Sequence, residues 1–199
     1  MKKKHPQVKG HCELQSSNSS DALLMSIFAH PDLPKWKGMG NLLGTGRINN
    51  IDFGVKYKLK KSNNKEKKAT EFDMVINNCY IFESKLTEKD FTNKNHKEVE
   101  KYDYFDNTFY KSFLKQTKRG YENYQIIRNI LALQERFNRF VLLCDERRPD
   151  LIIRFYETVK CIRDISIRNK CKVITWQQVA FVCRKNLKKF LEQKYGING

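Results

Sequence analysis

EFDMVINNCYIFESKL, residues 71–86, consists of two short apolar runs joined by the dipeptide Asn77–Asn78. Asparagine tolerates left-handed backbone conformations, and such a dipeptide between apolar runs is typical of a tight turn. We therefore predict that the two runs are neighbouring antiparallel strands of one hairpin.

Three charged residues interrupt these apolar runs: Asp73 on the first, and Glu83 and Lys85 on the second. Glu83 and Lys85 are two residues apart and so share one face of their strand. A strict two-residue loop would pair Asp73 with Phe82 and turn Glu83 to the opposite face. The three side chains can converge only if the loop is odd or bulged, and we predict three residues or a bulge at 77–79.

An unpaired charge inside a central strand is energetically costly, so charged residues at such positions indicate a function. The residue types of these three suit phosphodiester cleavage. Mg²⁺ is usually held by one or two carboxylates together with substrate phosphate, and it supplies most of what the reaction needs. A lysine beside the carboxylates can orient or deprotonate the attacking water. The alternative interpretation is a surface ion pair across the hairpin.

The elements around the hairpin follow an α/β order. We predict a helix from Ser19 or Ser20, a loop over 30–46, a strand over 47–59, an irregular helical segment over 88–120, a helix over 121–137, a strand over 140–144, a helix over 151–169, an extended segment over 172–176 and a helix over 177–195. This order predicts a central mixed β-sheet flanked by helices. The length fits a single domain over residues 1–199, with 88–120 as a helical insertion.

The formal net charge of +17, from 39 Lys and Arg against 22 Asp and Glu, favours a polyanionic partner. We predict DNA contacts from a lysine-rich hairpin tip, a second basic run and the helix over 121–137, although a solvated charged surface would leave the same pattern. The predicted contacts are Lys58, Lys60, Lys61, Lys65, Lys67, Lys68, Lys115, Lys118, Arg119 and Arg128.

Neither a secretory signal nor a membrane-spanning segment is evident, so a cytoplasmic protein without a membrane partner is expected. The six cysteines are scattered without a CxxC pair and are predicted to be free thiols.

Asp73, nine intervening residues and the Glu-x-Lys of Glu83–Lys85 resemble the signature of the PD-(D/E)XK nuclease superfamily, with Phe72 in place of the usual proline. The resemblance covers roughly residues 13–181 and implies a restriction-endonuclease-like core. It also implies a metal-dependent DNA endonuclease that uses Mg²⁺, for which Mn²⁺ substitutes. The inference that the substrate is DNA rather than RNA rests on the resemblance alone.

The same resemblance implies roles for individual residues. Asp73 and Glu83 would bind the metal and Lys85 would assist the water. Members often add an acidic ligand from the first helix, for which Glu13 is carried over and Asp21 is the other candidate. Gln125, on the helix after the Glu-x-Lys strand, matches a further catalytic position, with Tyr121 and Arg128 similar in kind; a solvated polar face is the alternative.

Symmetric cleavage of duplex DNA would require two related sites and hence a possible homodimer. Two rival functions stay open. One is a catalytically inactive nucleic-acid-binding protein of the same fold. The other is a junction resolvase or a nuclease subunit of a transposition or defence complex.

Overall fold

The computed structural model describes residues 15–61 and 69–199. Within these ranges the strands are β1 (Ile51–Tyr57), β2 (Thr70–Ile76), β3 (Tyr80–Lys85), β4 (Gln116–Thr117), β5 (Gly120–Tyr121), β6 (Arg139–Cys144) and β7 (Cys171–Thr175). The α-helices are α1 (Ser20–Phe28), α2 (Lys37–Leu43), α3 (His96–Val99), α4 (Phe105–Thr108), α5 (Tyr124–Glu135), α6 (Pro149–Val159), α7 (Ile165–Arg168), α8 (Trp176–Val182) and α9 (Lys185–Tyr195).

In the described chain, the central sheet has the strand order β1-β2-β3-β6-β7. The first three strands form an antiparallel meander, and β6 and β7 continue the sheet in parallel with β3. The predicted mixed sheet flanked by helices is thus confirmed. The segment Gln116–Tyr121 forms a separate small hairpin from β4 and β5.

A hydrophobic core lies on each face of the sheet. Alternate residues of β6 point into the two cores: Phe140 and Leu142 into one, Val141 and Leu143 into the other. Helices α5 and α6 contribute to the first core, whereas α1, α2, α8 and α9 contribute to the second. This arrangement explains why the β6 sequence is continuously apolar, as expected of a strand buried on both faces.

The turn between β2 and β3 contains three residues. Ile76 pairs with Tyr80, and Asn77 and Asn78 both have positive φ angles, 51° and 58°. The Met74–Phe82 pair continues this register, so the next position sets Asp73 opposite Glu83. The predicted odd-numbered loop is confirmed.

The segment 30–46, predicted as a loop, was assigned wrongly. It contains a 3-10 turn over Leu33–Lys35 followed by helix α2. Glycines at 38 and 40 suggest a loop by composition, but Gly40 is required by packing, since a Cβ there would lie 1.9 Å from the Gly46 carbonyl oxygen. The helix forms because Met39 and Leu43, four residues apart, both bury their side chains in the core.

Residues 88–120 contain little helix. The helices α3 and α4 are four residues long, and a 3-10 turn covers Lys111–Phe113. The five cysteines in the described ranges, Cys79, Cys144, Cys161, Cys171 and Cys183, are free thiols as predicted. No helix in the described part of the chain is long and apolar enough to cross a membrane.

Asn77 holds the β2–β3 turn to the segment before β1. Its side-chain oxygen accepts from the backbone N–H groups of Asn49 (2.8 Å) and Asn50 (3.4 Å), and its Nδ2 donates to the Arg47 carbonyl. The turn therefore depends on both the left-handed backbone and the amide group of this residue.

We expect Asn77→Ala to lower the free energy of unfolding by about 2 kcal/mol, because alanine disfavours positive φ and cannot make these hydrogen bonds. Asn77→Gly, which tolerates the backbone conformation, is expected to lose about half as much. Urea unfolding of the three proteins measures the difference. Equal stability of the alanine variant and the wild type would contradict this account of the turn.

Candidate active site

A polar cleft of about 250 Å³ opens where β3 ends, between α1 and α5. Its lining is unusual in containing four carboxylic acids and one lysine. The lining residues are Asn18, Ser19, Ser20, Asp21, Asp73, Glu83, Ser84, Lys85, Thr87, Glu88 and Gln125. The structure thus brings together the predicted residues Asp73, Glu83, Lys85 and Gln125.

Glu83 is buried and receives donors on both carboxylate oxygens. Gln125 Nε2 donates to Oε1 at 2.7 Å, and Asn129 Nδ2 donates to Oε2 at 3.0 Å. The ammonium group of Lys85 lies 3.0 Å from Oε1. Gln125 and Asn129 are four residues apart on α5 and therefore lie on the same helix face. These donors fix the orientation of the Glu83 carboxylate.

Lys85 is held on several sides. Its side chain is only 7% exposed, its ammonium lies 5.7 Å from the centre of the Phe91 ring, and its backbone carbonyl accepts the indole N–H of Trp176 at 2.9 Å. Burial alone would lower the pKa of the Lys85 ammonium, but the carboxylates of Glu83 and Asp73 outweigh burial and raise it. Lys85 therefore carries its charge at neutral pH.

The electrostatic environment of Asp73 is unfavourable. Burial raises the pKa of its carboxyl group well above the ordinary value, and the charge of Glu83 raises it further. The backbone N–H of Ser84, which donates to Asp73 Oδ2 at 2.8 Å, compensates only in part. Two carboxylates face each other here, and the nearby lysine is bonded to Glu83.

The start of α1 is joined to the end of β3. Ser84 Oγ donates to the Ser20 carbonyl at 3.3 Å, Ser20 Oγ donates to a carboxylate oxygen of Glu88, and the backbone N–H of Leu86 donates to the other oxygen of Glu88 at 2.6 Å. Because Asp21 follows Ser20, this arrangement brings the Asp21 carboxylate to the cleft, where its charge also raises the pKa of Asp73.

Glu13, the acidic residue carried over for the first helix, lies outside the described residues, so its role as a metal ligand stays a prediction. Asp21, the other candidate, lines the cleft. Tyr121, which was similar in kind to Gln125, lies in β5 with a fully buried side chain and donates its hydroxyl to Glu100 at 2.8 Å.

Two residues of the site, Asn129 and Glu88, were missed at the level of sequence. Asn129 is a fully buried amide on α5, and its four-residue spacing from Gln125 was the available signal. Glu88 follows β3 in a loop, where no periodicity indicates the direction of a side chain.

The predicted DNA-contacting residues are dispersed. Lys58, Lys60, Lys115, Lys118 and Arg119 are exposed. Lys61 is largely covered, with its ammonium 4.8 Å from the Tyr102 ring centre, and Arg128 lies partly buried over the Tyr124 ring. Lys65, Lys67 and Lys68 lie outside the described residues.

The donor set of the cleft fits a hard divalent cation. Among residues 15–61 and 69–199 no cluster of three or more His, Cys, Asp or Glu side chains is arranged to hold a metal ion. Magnesium, however, is commonly bound by one or two carboxylates, with water and substrate oxygens completing the shell. The opposed carboxylates of Asp73 and Glu83 provide such a pair. Gln125 Oε1 is also buried without a hydrogen-bond partner in the described chain.

A mixed sheet flanked by helices, with two opposed carboxylates and a lysine at the end of its third strand, defines a restriction-endonuclease-like protein. The model of the family described as "Restriction Endonuclease associating with ARP" matches residues 1–196, so the chain belongs to this family. Membership implies a nuclease-like role and interaction with DNA. No curated protein matches the chain, and no solved structure does.

The raised pKa of Asp73 makes the stability of the metal-free protein depend on pH. The folded state retains the Asp73 proton at a pH where the unfolded chain has released it, so the associated stabilisation is present at low pH and is lost as pH rises through the raised pKa. The asparagine side chain of Asp73→Asn carries no charge at any pH of the series. We expect this variant to lack that decline and to be more stable than the wild type above the raised pKa.

Denaturant unfolding in EDTA across a pH series measures this difference, with Asp52→Asn on the exposed face of β1 as the control. Addition of Mn²⁺ should stabilise the wild type and leave Asp73→Asn unchanged, since an ion that binds only the folded state stabilises it. Parallel pH profiles for wild type and Asp73→Asn would refute the electrostatic account of the site.

Proposed function

We propose that this protein is a Mg²⁺-dependent DNA endonuclease of the PD-(D/E)XK type, with Mn²⁺ as a substitute metal. The observation that carries the proposal is the register of the β2–β3 hairpin, which sets Asp73 opposite Glu83 while Lys85 projects into the same cleft. The family match supports the nuclease class, and the chemistry of the cleft supports phosphodiester hydrolysis.

In this proposal Asp73 and Glu83 hold the metal, and Asp21 is the acidic group that α1 contributes. A bound Mg²⁺ would supply positive charge against the scissile phosphate and would make the attacking water more acidic. Gln125 and Asn129 keep the Glu83 carboxylate in one orientation through their amide N–H groups. Such fixed donors lower the cost of organising the site during the reaction.

The protonated state of Lys85 defines what this residue contributes. Its ammonium group has only donors, so it orients the attacking water by donating to its oxygen, or it stabilises negative charge on a phosphate oxygen. In the metal-free protein the carboxylates of Glu83 and Asp73 disfavour the neutral amine that removal of a proton from water would require. We propose an orienting and charge-stabilising role for Lys85.

The strongly positive chain supplies the attraction to the phosphate backbone. The exposed cations Lys58, Lys60, Lys115, Lys118 and Arg119 are proposed as nonspecific contacts that position the substrate. A homodimer would allow both strands of a duplex to be cut and is retained as a proposal. The family's description names an association with ARP, which favours a nuclease that acts together with ARP over one that acts alone.

Cleavage of plasmid DNA and of single-stranded DNA tests the activity directly. We expect nicking by the wild type in Mg²⁺ or Mn²⁺ but not in EDTA. Lys85→Ala and Asp73→Asn should each reduce the rate at least about 100-fold, because each removes a charge from the reacting centre.

The variant Asp21→Asn tests whether Asp21 is a metal ligand, and we expect it to lose activity. Glu192 is an exposed acid on α9, so Glu192→Gln is the control and should keep full activity. A wild type that fails to cut any DNA form with either metal would refute the proposal and favour a non-catalytic DNA-binding protein.

A further inference from the structure

Two aromatic side chains stand at the ends of the 3-10 turn before β4: Tyr110 precedes the turn and Phe113 is its last residue. Phe113 is 70% exposed and Tyr110 is 39% exposed, with ring centres 5.9 Å apart and ring planes inclined at 55°. Single exposed apolar residues are common on protein surfaces, but an adjacent pair of exposed aromatic rings forms a contact surface. We call Tyr110 and Phe113 the aromatic platform.

The platform is held by the backbone beneath it. The Tyr110 N–H donates to the Cys161 carbonyl at 2.8 Å, and the Phe113 N–H donates to the Tyr110 carbonyl at 2.9 Å. The guanidinium of Arg163 lies 4.4 Å from the Tyr110 ring centre, and Leu114, the next residue after Phe113, is buried. Phe113 is thus exposed on an anchored turn, so binding at the ring would require little additional ordering of the backbone.

The segment that carries the platform is itself purely cationic. Residues 110–119 contain Lys111, Lys115, Lys118 and Arg119 and no acidic residue. Lys111 lies 2.8 Å from Glu100 and Lys115 lies 3.8 Å from Glu122. Lys118 and Arg119 form the exposed tip of the β4–β5 hairpin and make no ion pair within the described ranges. Such a surface complements a polyanion.

The β4–β5 hairpin is also fixed relative to the cleft. Lys94 and Tyr121 exchange two backbone hydrogen bonds of 3.0 and 2.9 Å, and a Cβ at Gly120 would lie 2.0 Å from the Lys94 carbonyl oxygen. In the adjoining loop, the Phe91 carbonyl accepts a hydrogen bond of 3.0 Å from the backbone N–H of Gln125. The Gln125 side chain donates to Glu83, so the loop that holds the hairpin also contacts a residue of the cleft.

We propose that the aromatic platform binds an unpaired or displaced base of the nucleic acid, with Phe113 stacking on the base while Lys118 and Arg119 bind adjacent phosphates. The inference rests on the proposed function and names a feature of its substrate. Aromatic side chains beside a cationic surface are the usual means of binding unstacked bases, because every base has a π face and every nucleotide has a phosphate.

The test measures binding in EDTA, where cleavage cannot contribute. Fluorescence anisotropy compares a fully paired duplex with the same duplex carrying unpaired bases, for wild type, Phe113→Ala and Phe113→Trp. Phe181→Ala is the matched control, because Phe181 is also 70% exposed with a lysine ammonium, that of Lys188, 5.0 Å from its ring centre. Phe181 lies near the end of α8, the helix that begins beside Lys85 at Trp176.

We expect Phe113→Ala to weaken binding to the DNA with unpaired bases about tenfold, as for one lost base–aromatic stack, and to leave the paired duplex unaffected. Phe113→Trp and Phe181→Ala should bind as the wild type does, with unchanged melting temperatures. If Phe113→Ala bound both DNA forms equally less tightly, or bound both as tightly as the wild type, the platform proposal would be overturned and the proposed nuclease function would be unaffected. A wild type that binds neither DNA form in EDTA, but nicks plasmid with Mg²⁺, also overturns the platform alone. Absence of both binding and cleavage removes both proposals.

Discussion

The three-residue turn at 77–79 determines the register of β2 against β3, and the site depends on that register. With one residue fewer, Asp73 would face Phe82 and Glu83 would project from the other face of the sheet. Because successive side chains of a strand alternate in direction, no small adjustment elsewhere could restore the pair. The two asparagines with positive φ angles are thus linked directly to the chemistry of the cleft.

The electrostatics of the cleft carry a cost that folding alone does not explain. Four carboxylic acids, Asp21, Asp73, Glu83 and Glu88, surround a single lysine. Glu83 is compensated by Lys85 and two amides, and Glu88 by two donors, whereas Asp73 receives one backbone N–H and is opposed by Glu83. Strongly perturbed groups that converge in a cleft are characteristic of functional sites. A divalent cation bound between the carboxylates would replace their mutual repulsion with attraction to the ion.

Much of this arrangement was predictable because it follows from local rules. The left-handed tendency of asparagine marked the turn, and the two-residue spacing of Glu83 and Lys85 fixed their common face. Gln125, by contrast, became a candidate only through the family resemblance. Prediction failed where tertiary packing decided the outcome: α2 forms because Met39 and Leu43 bury their side chains in the core, and residue 40 is glycine because a Cβ there would meet the Gly46 carbonyl. The approach of Glu88 to Ser20, residues far apart in sequence, is equally nonlocal.

The central claim is that Asp73 and Glu83 share a divalent ion. Crystals of the wild-type protein grown with Mn²⁺ and measured at the manganese absorption edge give the most direct test. The account predicts an anomalous peak within coordination distance of carboxylate oxygens from both residues, and no peak at that position in Asp73→Asn. An ion bound elsewhere, or a wild-type cleft that stays without manganese while both carboxylates keep their positions, would contradict it.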